Sequence, residues 1–351
     1  QAEDGIRDSV NGLVGSEMCI RDRAPMTKRN LVLAAILAVQ IVVIAVIFWP
    51  RGTASGEQDL GLFPSLETDR IAAVTITEGD GSTLRLVKQA GGWVLPEADD
   101  YPVQDDKVPP LLDKLVALEA ERLVTQTGDS HKRLKVADDD FERHIELELA
   151  DGTRHHLYVG SSPSFGATHV RAGDQDEVYL TSELTAFDAD AEPTRWVERE
   201  YFSVPEEELV ALTLENKAGT FEFAKEGDTW TMEGLAEDEE FDETKLLALV
   251  GRLGSVPLLR PLGQEELVSY GMREPQAIVT IRTESDEEGE RTYTLRVGAQ
   301  DPDDLSYVVV SSESPYHVQV SEFTVKDFVE KGREDYLVVP PTVTPEATPT
   351  G

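Results

Sequence analysis

The chain has 351 residues, with 68 Asp plus Glu against 32 Lys plus Arg, a formal net charge of −36, 40% hydrophobic and 28% charged residues. That composition suits a globular body of about two ordinary domains rather than a disordered chain. The acidity argues against a nucleic-acid partner, since phosphate backbones are bound through Lys and Arg patches, and anionic lipid headgroups would repel it for the same reason.

Residues 1–25 contain "EDGIRDSVNGLVGSEMCIRDR", which resembles translated sequencing-adaptor read-through, so the reading starts at Met26. Cys19, the only cysteine, falls in that piece, and the remainder offers no thiol for a disulfide or a nucleophile. Residues 26–50 read as a signal anchor. Leu31 to Trp49 is apolar apart from Gln40, close to the ~20 residues that span a bilayer. Lys28 and Arg29 before the run place the N-terminus in the cytoplasm and the bulk of the chain outside it. The rival is a cleaved signal peptide with a small-residue site at Thr53 to Ser55, but the apolar run is longer than such peptides carry. The membrane is thus an expected partner through residues 31–49.

After a linker at 51–70, two units follow at 71–204 and 205–337, in a register of about 138 residues. Ile71, Val74 and Ile76 answer Leu209, Leu212 and Leu214, and Trp93 answers Trp230. "DDKVPPLLDKLVAL" and "DETKLLALVGRLGSV" carry Val108, Leu111, Leu112, Leu115 and Leu246, Leu249, Val250, Leu253 at helical spacing. Asp105 or Asp106 and Asp242 stand where an N-cap carboxylate is expected.

"HIELELADGTRHHLYVG" and "AIVTIRTESDEEGERTYTLRVG" each read as two alternating strands about a polar turn, and Val159-Gly160 answers Val297-Gly298. A further hairpin, a short helix and the pair "REYF" and "REDYL" close each unit. The expected fold class is α+β: two tandem repeats of a strand-helix-strand unit with antiparallel sheets, preceded by one transmembrane helix. The Pro- and Thr-rich tail at 338–351 is expected to be disordered.

The anchor "KRNLVL", the Gly-x-Trp after an alternating strand, "YGMREPQAIVTI" and "LRVG" together resemble the domain-of-unknown-function 4340 family, over nearly everything from Met26 to about Leu337. In the first unit "HKRLKVADDDFERHIEL" departs from the Tyr-Gly-x-x-x-Pro form. The resemblance implies a bacterial, membrane-anchored protein often encoded beside gliding-motility-type ABC transporter subunits. It carries over no catalytic residues.

The residues name no catalytic, cofactor or metal site of their own. Trp93 and Trp230 are expected in the core, and Trp196 is open between core and ligand platform. Of His131, His144, His155, His156, His169 and His317, the adjacent pair would point to opposite faces of one strand, a poor chelate. The acidic clusters at 138–140, 238–240 and 301–304 lack calcium-loop grammar and read as solvated turns. Hydrolase elbows and phosphate loops do not occur.

The reading is therefore a non-enzymatic, membrane-anchored extracytoplasmic module, accessory or scaffold to an ABC-transporter-associated assembly, with permease or ATPase subunits as partners. The alternative is an extracytoplasmic hydrolase, for carbohydrate or cell-envelope processing, with an unrecognised carboxylate site.

Overall fold

The computed structural model describes residues 32, 36–40, 61–120, 122–285 and 289–339. Those from 61 onward belong to one compact unit. The expected adaptor piece, most of the 31–49 run and nearly all of the tail lie outside the described residues.

Alternating strands joined by short turns dominate. In chain order the first sheet uses β1 (Ile71–Glu78), β2 (Thr83–Gln89), β3 (Gly92–Leu95) and β4 (Tyr101–Pro102). Helix α1 (Val108–Val116) leads to β5 (Arg122–Thr125), and α2 (His131–Leu134) leads to a separate ribbon of β6 (Val136–Ala137) and β7 (Asp140–Phe141). The sheet is completed by β8 (Arg143–Leu149), β9 (Arg154–Val159), β10 (Thr168–Ala172) and β11 (Val178–Thr181).

The second sheet uses β12 (Glu200–Phe202), β13 (Leu209–Asn216), β14 (Gly219–Glu226) and β15 (Thr229–Met232). Helix α3 (Glu243–Leu253) then precedes β16 (Val256–Gly263), β17 (Ala277–Ser285), β18 (Gly289–Gln300), β19 (Tyr307–Ser311) and β20 (His317–Val320), with α4 (Glu322–Glu330) after them.

The expected α+β strand-helix-strand unit is overturned. The body is two nine-stranded antiparallel sheets and one two-stranded ribbon, with few helices. Local hairpins carry the chain, and a helix enters mainly where it must cross from one side of a sheet to the far edge, as α1 does between β4 and β5. The first sheet runs β4-β3-β2-β1-β8-β9-β10-β11-β5 and the second β15-β14-β13-β17-β18-β19-β20-β16-β12. Counting β3 and β15 themselves, eight strands of each sheet run in the same connectivity. The difference lies at the edges, where β4 extends one sheet and β12 the other.

The expected transmembrane helix is also not found. Among the described residues no helix is long and apolar enough to cross a membrane. Of the 31–49 run, residues 32 and 36–40 are described and are helical, and the rest lies outside the described residues.

One continuous core runs through both sheets and includes Trp93, Trp230 and the inward residues of α1 and α3. The helix starts differ from expectation in one case. Asp242 caps α3, accepting from Thr244 N at 3.2 Å, but α1 begins after Lys107 with no side-chain cap. Pro109 and Pro110 explain this, because they occupy the second and third helical positions and remove the amides a cap would satisfy.

Side-chain contacts around Asp99–Tyr101 bind the sheets together. Asp99 and Asp100 both take left-handed backbone, with φ 53° and 61°. The Asp99 carboxylate accepts from Gln264 N and Glu265 N at 2.7 and 3.2 Å. Tyr316 Oη donates to Asp100 O at 3.1 Å, the Tyr101 and Tyr316 rings meet edge-on at 4.8 Å, and burial pushes the Tyr101 hydroxyl up to about 12.

Candidate functional site

The segments after β11 and β20 begin alike, "SELTAFDAD" (182–190) and "SEFTVKDFV" (321–329), yet fold differently. The second forms α4, with Val325, Phe328 and Val329 buried and Asp327 bonded to Arg252 of α3 at 3.1 Å. The first keeps the matching ion pair, Lys114 Nζ of α1 to Asp188 at 2.6 Å, but makes only a 3₁₀ turn, Ala186–Asp188. Burial works to raise the Asp188 pKa, and the bonds from Lys114 and Thr185 outweigh it and hold the carboxyl below its ordinary value.

Beyond the turn, Ala189 and Asp190 stand where Phe328 and Val329 continue α4, so the apolar anchors for a further turn are missing. The sheet claims the backbone instead. Arg143 Nε donates to Ala189 O at 2.9 Å, and Glu78 Oε1 accepts from Ala191 N at 3.0 Å. The short helix expected here is therefore absent among the described residues, and Pro193 begins a second 3₁₀ turn.

The withdrawn segment leaves a cleft of about 560 Å³ against α1, lined by Gln104, Lys107, Leu111, Lys114, Phe187, Asp188, Asp190 and residues 194–199. A hollow of about 690 Å³ adjoins it between the sheets, sharing Thr194 and Arg199 and adding Leu259, Arg260 and Asp304. The two form one groove across the seam.

Its charges are unusual for so acidic a chain. Asp188 pairs with Lys114, Asp190 with Arg195 at 3.8 Å, and Glu198 accepts from Gln104 Nε2 at 2.7 Å. Lys107, Arg199 and Arg260 are exposed and have no salt-bridge partner among the described residues. Phe187 is 82% and Leu259 41% exposed, one in each hollow. Trp196 is buried, its indole N–H donating to Asp190 O at 2.8 Å, which makes it a wall of the cleft rather than a stacking platform. The arrangement can hold an anionic group by charge and an apolar side chain by contact.

Several of the other sequence candidates are already engaged. In the 138–140 cluster, Asp138 pairs with Arg171, Asp139 with Lys132 and Asp140 with Lys135. Glu239 is held down to about 2 by its hydrogen bond from Arg333. Asp304 accepts from Ser306 N at 2.9 Å, closing its own turn. No group of three or more His, Cys, Asp or Glu side chains among the described residues could hold a metal ion.

His155 and His156 do diverge: His155 meets Phe63 edge-on at 5.4 Å on one face. On the other, His156 Nδ1 lies 3.1 Å from His144 Nε2, and His144 stacks on Tyr158 at 4.6 Å. Sequence reading missed this cluster. The Asp151-Gly152 turn sets the register that puts His144 opposite Tyr158 and Glu146 opposite His156, so the signal was present.

Burial, then the neighbouring His156, lower the His144 pKa below 6.5, against the opposing pull of Glu146 and Asp138. The unfolded chain binds this proton near pH 6.5 and the folded chain only lower. Stability is therefore complete above about pH 6.5 and declines as pH falls from there to the folded pKa. Thermal midpoints between pH 7.5 and 5 are expected to fall more steeply for the parent than for His144→Gln. Parallel slopes would contradict the assignment.

Residues 93–260 match the family model described as Domain of unknown function (DUF4340), from the Trp93 strand of one sheet into β16 of the other. Comparison with curated proteins and with solved structures returns no match. The matched stretch contains the cleft against α1, and over it the chain is similar to that family.

Proposed function

We propose that the protein is a non-enzymatic, membrane-anchored extracytoplasmic module that acts as an accessory or scaffold of an ABC-transporter-associated assembly and docks its partner through the seam groove. The observation that carries this reading is the groove itself: an open cleft where α4 fills the equivalent place beside α3, edged by unpaired cations and an exposed phenylalanine. Concave surface that combines exposed apolar side chains, Phe187 and Leu259, with cations lacking a salt-bridge partner suits an interaction site. The matched connectivity of the sheets supports an origin as two copies of one unit, of which the first has given up its closing helix. The apolar run 31–49 and its Lys28-Arg29 flank support a single-pass anchor with a cytoplasmic N-terminus.

Mild-detergent purification of the tagged protein from its native membrane is expected to recover a transporter permease or ATPase subunit, with yield falling as ionic strength rises. The triple change Lys107→Glu, Arg199→Glu, Arg260→Glu is expected to abolish most of that recovery. Purification of the protein alone, with hydrolysis of a glycan or peptide library that a single carboxylate substitution removes, would establish the hydrolase alternative.

A further inference from the structure

We propose that the occupant of the groove is an acidic, apolar-anchored linear segment of the partner protein, an inference that rests on the docking reading above and names the chemistry it selects. In a chain of net charge −36, Lys107, Arg199 and Arg260 lie on one continuous groove, and the cleft-lining acids Asp188, Asp190 and Glu198 are already bonded to other groups. The surrounding field repels anions at long range, so an anionic ligand must gain its affinity from these three cations at short range. The groove balances five cations (Lys107, Lys114, Arg195, Arg199 and Arg260) against five acids in a chain where acids outnumber bases about two to one, so an acidic segment is repelled less there than over the rest of the body.

The second sheet shows what such an occupant looks like. There α4 lies against α3 with Val325, Phe328 and Val329 buried and Asp327 reaching Arg252, while Glu322 pairs with Lys326 inside the helix. On α1 the cation survives as Lys114, Lys107 is freed beside it, and the chain's own segment turns away after Asp188. Space, cations and an aromatic contact remain where the last turn of α4 would lie. A partner segment with two or three carboxylates and one large apolar side chain meets each of these features, the apolar group against Phe187 and Leu111.

The test uses the full-length protein in detergent and a fluorescein-labelled peptide of the α4 sequence, EFTVKDFVE, titrated by anisotropy. A charge-inverted peptide with lysine at its three acidic positions serves as the comparison. The acidic peptide is expected to bind and the inverted one not to. The Lys107→Glu, Arg199→Glu, Arg260→Glu protein is expected to weaken binding at least about tenfold, as three lost or reversed ion pairs would. Phe187→Ala should weaken it separately, without altering any charge.

The control Lys88→Glu, Lys217→Glu, Arg273→Glu makes the same net change at exposed positions outside both hollows and is expected to leave affinity within about twofold. Equal weakening by the two triples, equal binding of both peptides, or no binding up to about 1 mM would overturn the proposal. So would displacement of the peptide by a sulfated oligosaccharide at lower concentration than by unlabelled peptide, which would make the ligand a glycan. If the peptide fails while groove-dependent recovery of a membrane subunit persists, the docking reading stands and only the partner chemistry is wrong.

Discussion

Replacing Gly298 by alanine is expected to destabilise the body by about 3 kcal/mol, the upper end of what forced overpacking costs. A Cβ there would run into the carbonyl oxygen of Tyr270, with Met272 Cε at 3.0 Å behind it. Backbone cannot swing aside as a flexible side-chain tip can, so the strand must shift. Gly160 stands in the same situation in the first sheet, where its Cβ would meet the carbonyl of Leu134, with Val136 Cγ1 at 2.6 Å. Gly160→Ala should show a loss of similar size. Gly91→Ala, at a turn with nothing within 4 Å and no positive φ, is the control and should change stability by less than about 0.5 kcal/mol. Urea midpoints for the three variants decide the matter, and a neutral Gly298→Ala would show that the close approach is not real.

Arg171→Met is expected to cost roughly 2–4 kcal/mol, with Arg171→Lys recovering little of it. The guanidinium is 4% exposed and lies 4.4 Å over the Tyr158 ring. It donates to Val136 O at 2.7 Å and Gln175 O at 3.2 Å, and pairs with Asp138. One planar group thus ties β6 to β10, and a lysine, with a single donor centre, cannot reach these acceptors together. In the second sheet Arg296 of β18 donates to the carbonyl of Met272, at the corresponding turn. The same acceptor position is therefore served from different strands. Thermal unfolding of the two variants would check this, and a lysine variant as stable as the parent would remove the fork geometry from the explanation.

The same turn shows what was legible in the sequence. "YGMREP" signals a left-handed glycine, and Gly271 has φ 68°. "RLKVAD" looks unrelated, yet Lys135 takes φ 59° and delivers Leu134 O to Gly160 just as Tyr270 O reaches Gly298. Backbone shape persisted there while its sequence signature did not. The hairpins were readable because a period of two is a strong local signal, as in Ile145, Leu147 and Leu149. Fold class was misjudged because the helices at 108–116 and 243–253, though real, are minor beside twenty strands among the described residues.

The groove was hidden for another reason. Its cause is a contrast, Ala189-Asp190 against Phe328-Val329, visible only once the segments are aligned and only meaningful once α4 is seen to pack. The His144–His156 contact lay one step beyond the turn that sets it.

The most direct test places a photoreactive benzoylphenylalanine at position 187, on the rim of the cleft, and irradiates cells in which the protein sits in its native membrane. Position 165, a fully exposed phenylalanine on the turn between β9 and β10 and outside the groove, is the comparison. Crosslinking from 187 to an ABC transporter permease subunit, lost in the Lys107→Glu, Arg199→Glu, Arg260→Glu background and weak from 165, is the expected result. Equal adducts from both positions, or none from 187 while the subunit still co-purifies, would show that the partner docks elsewhere and contradict the account.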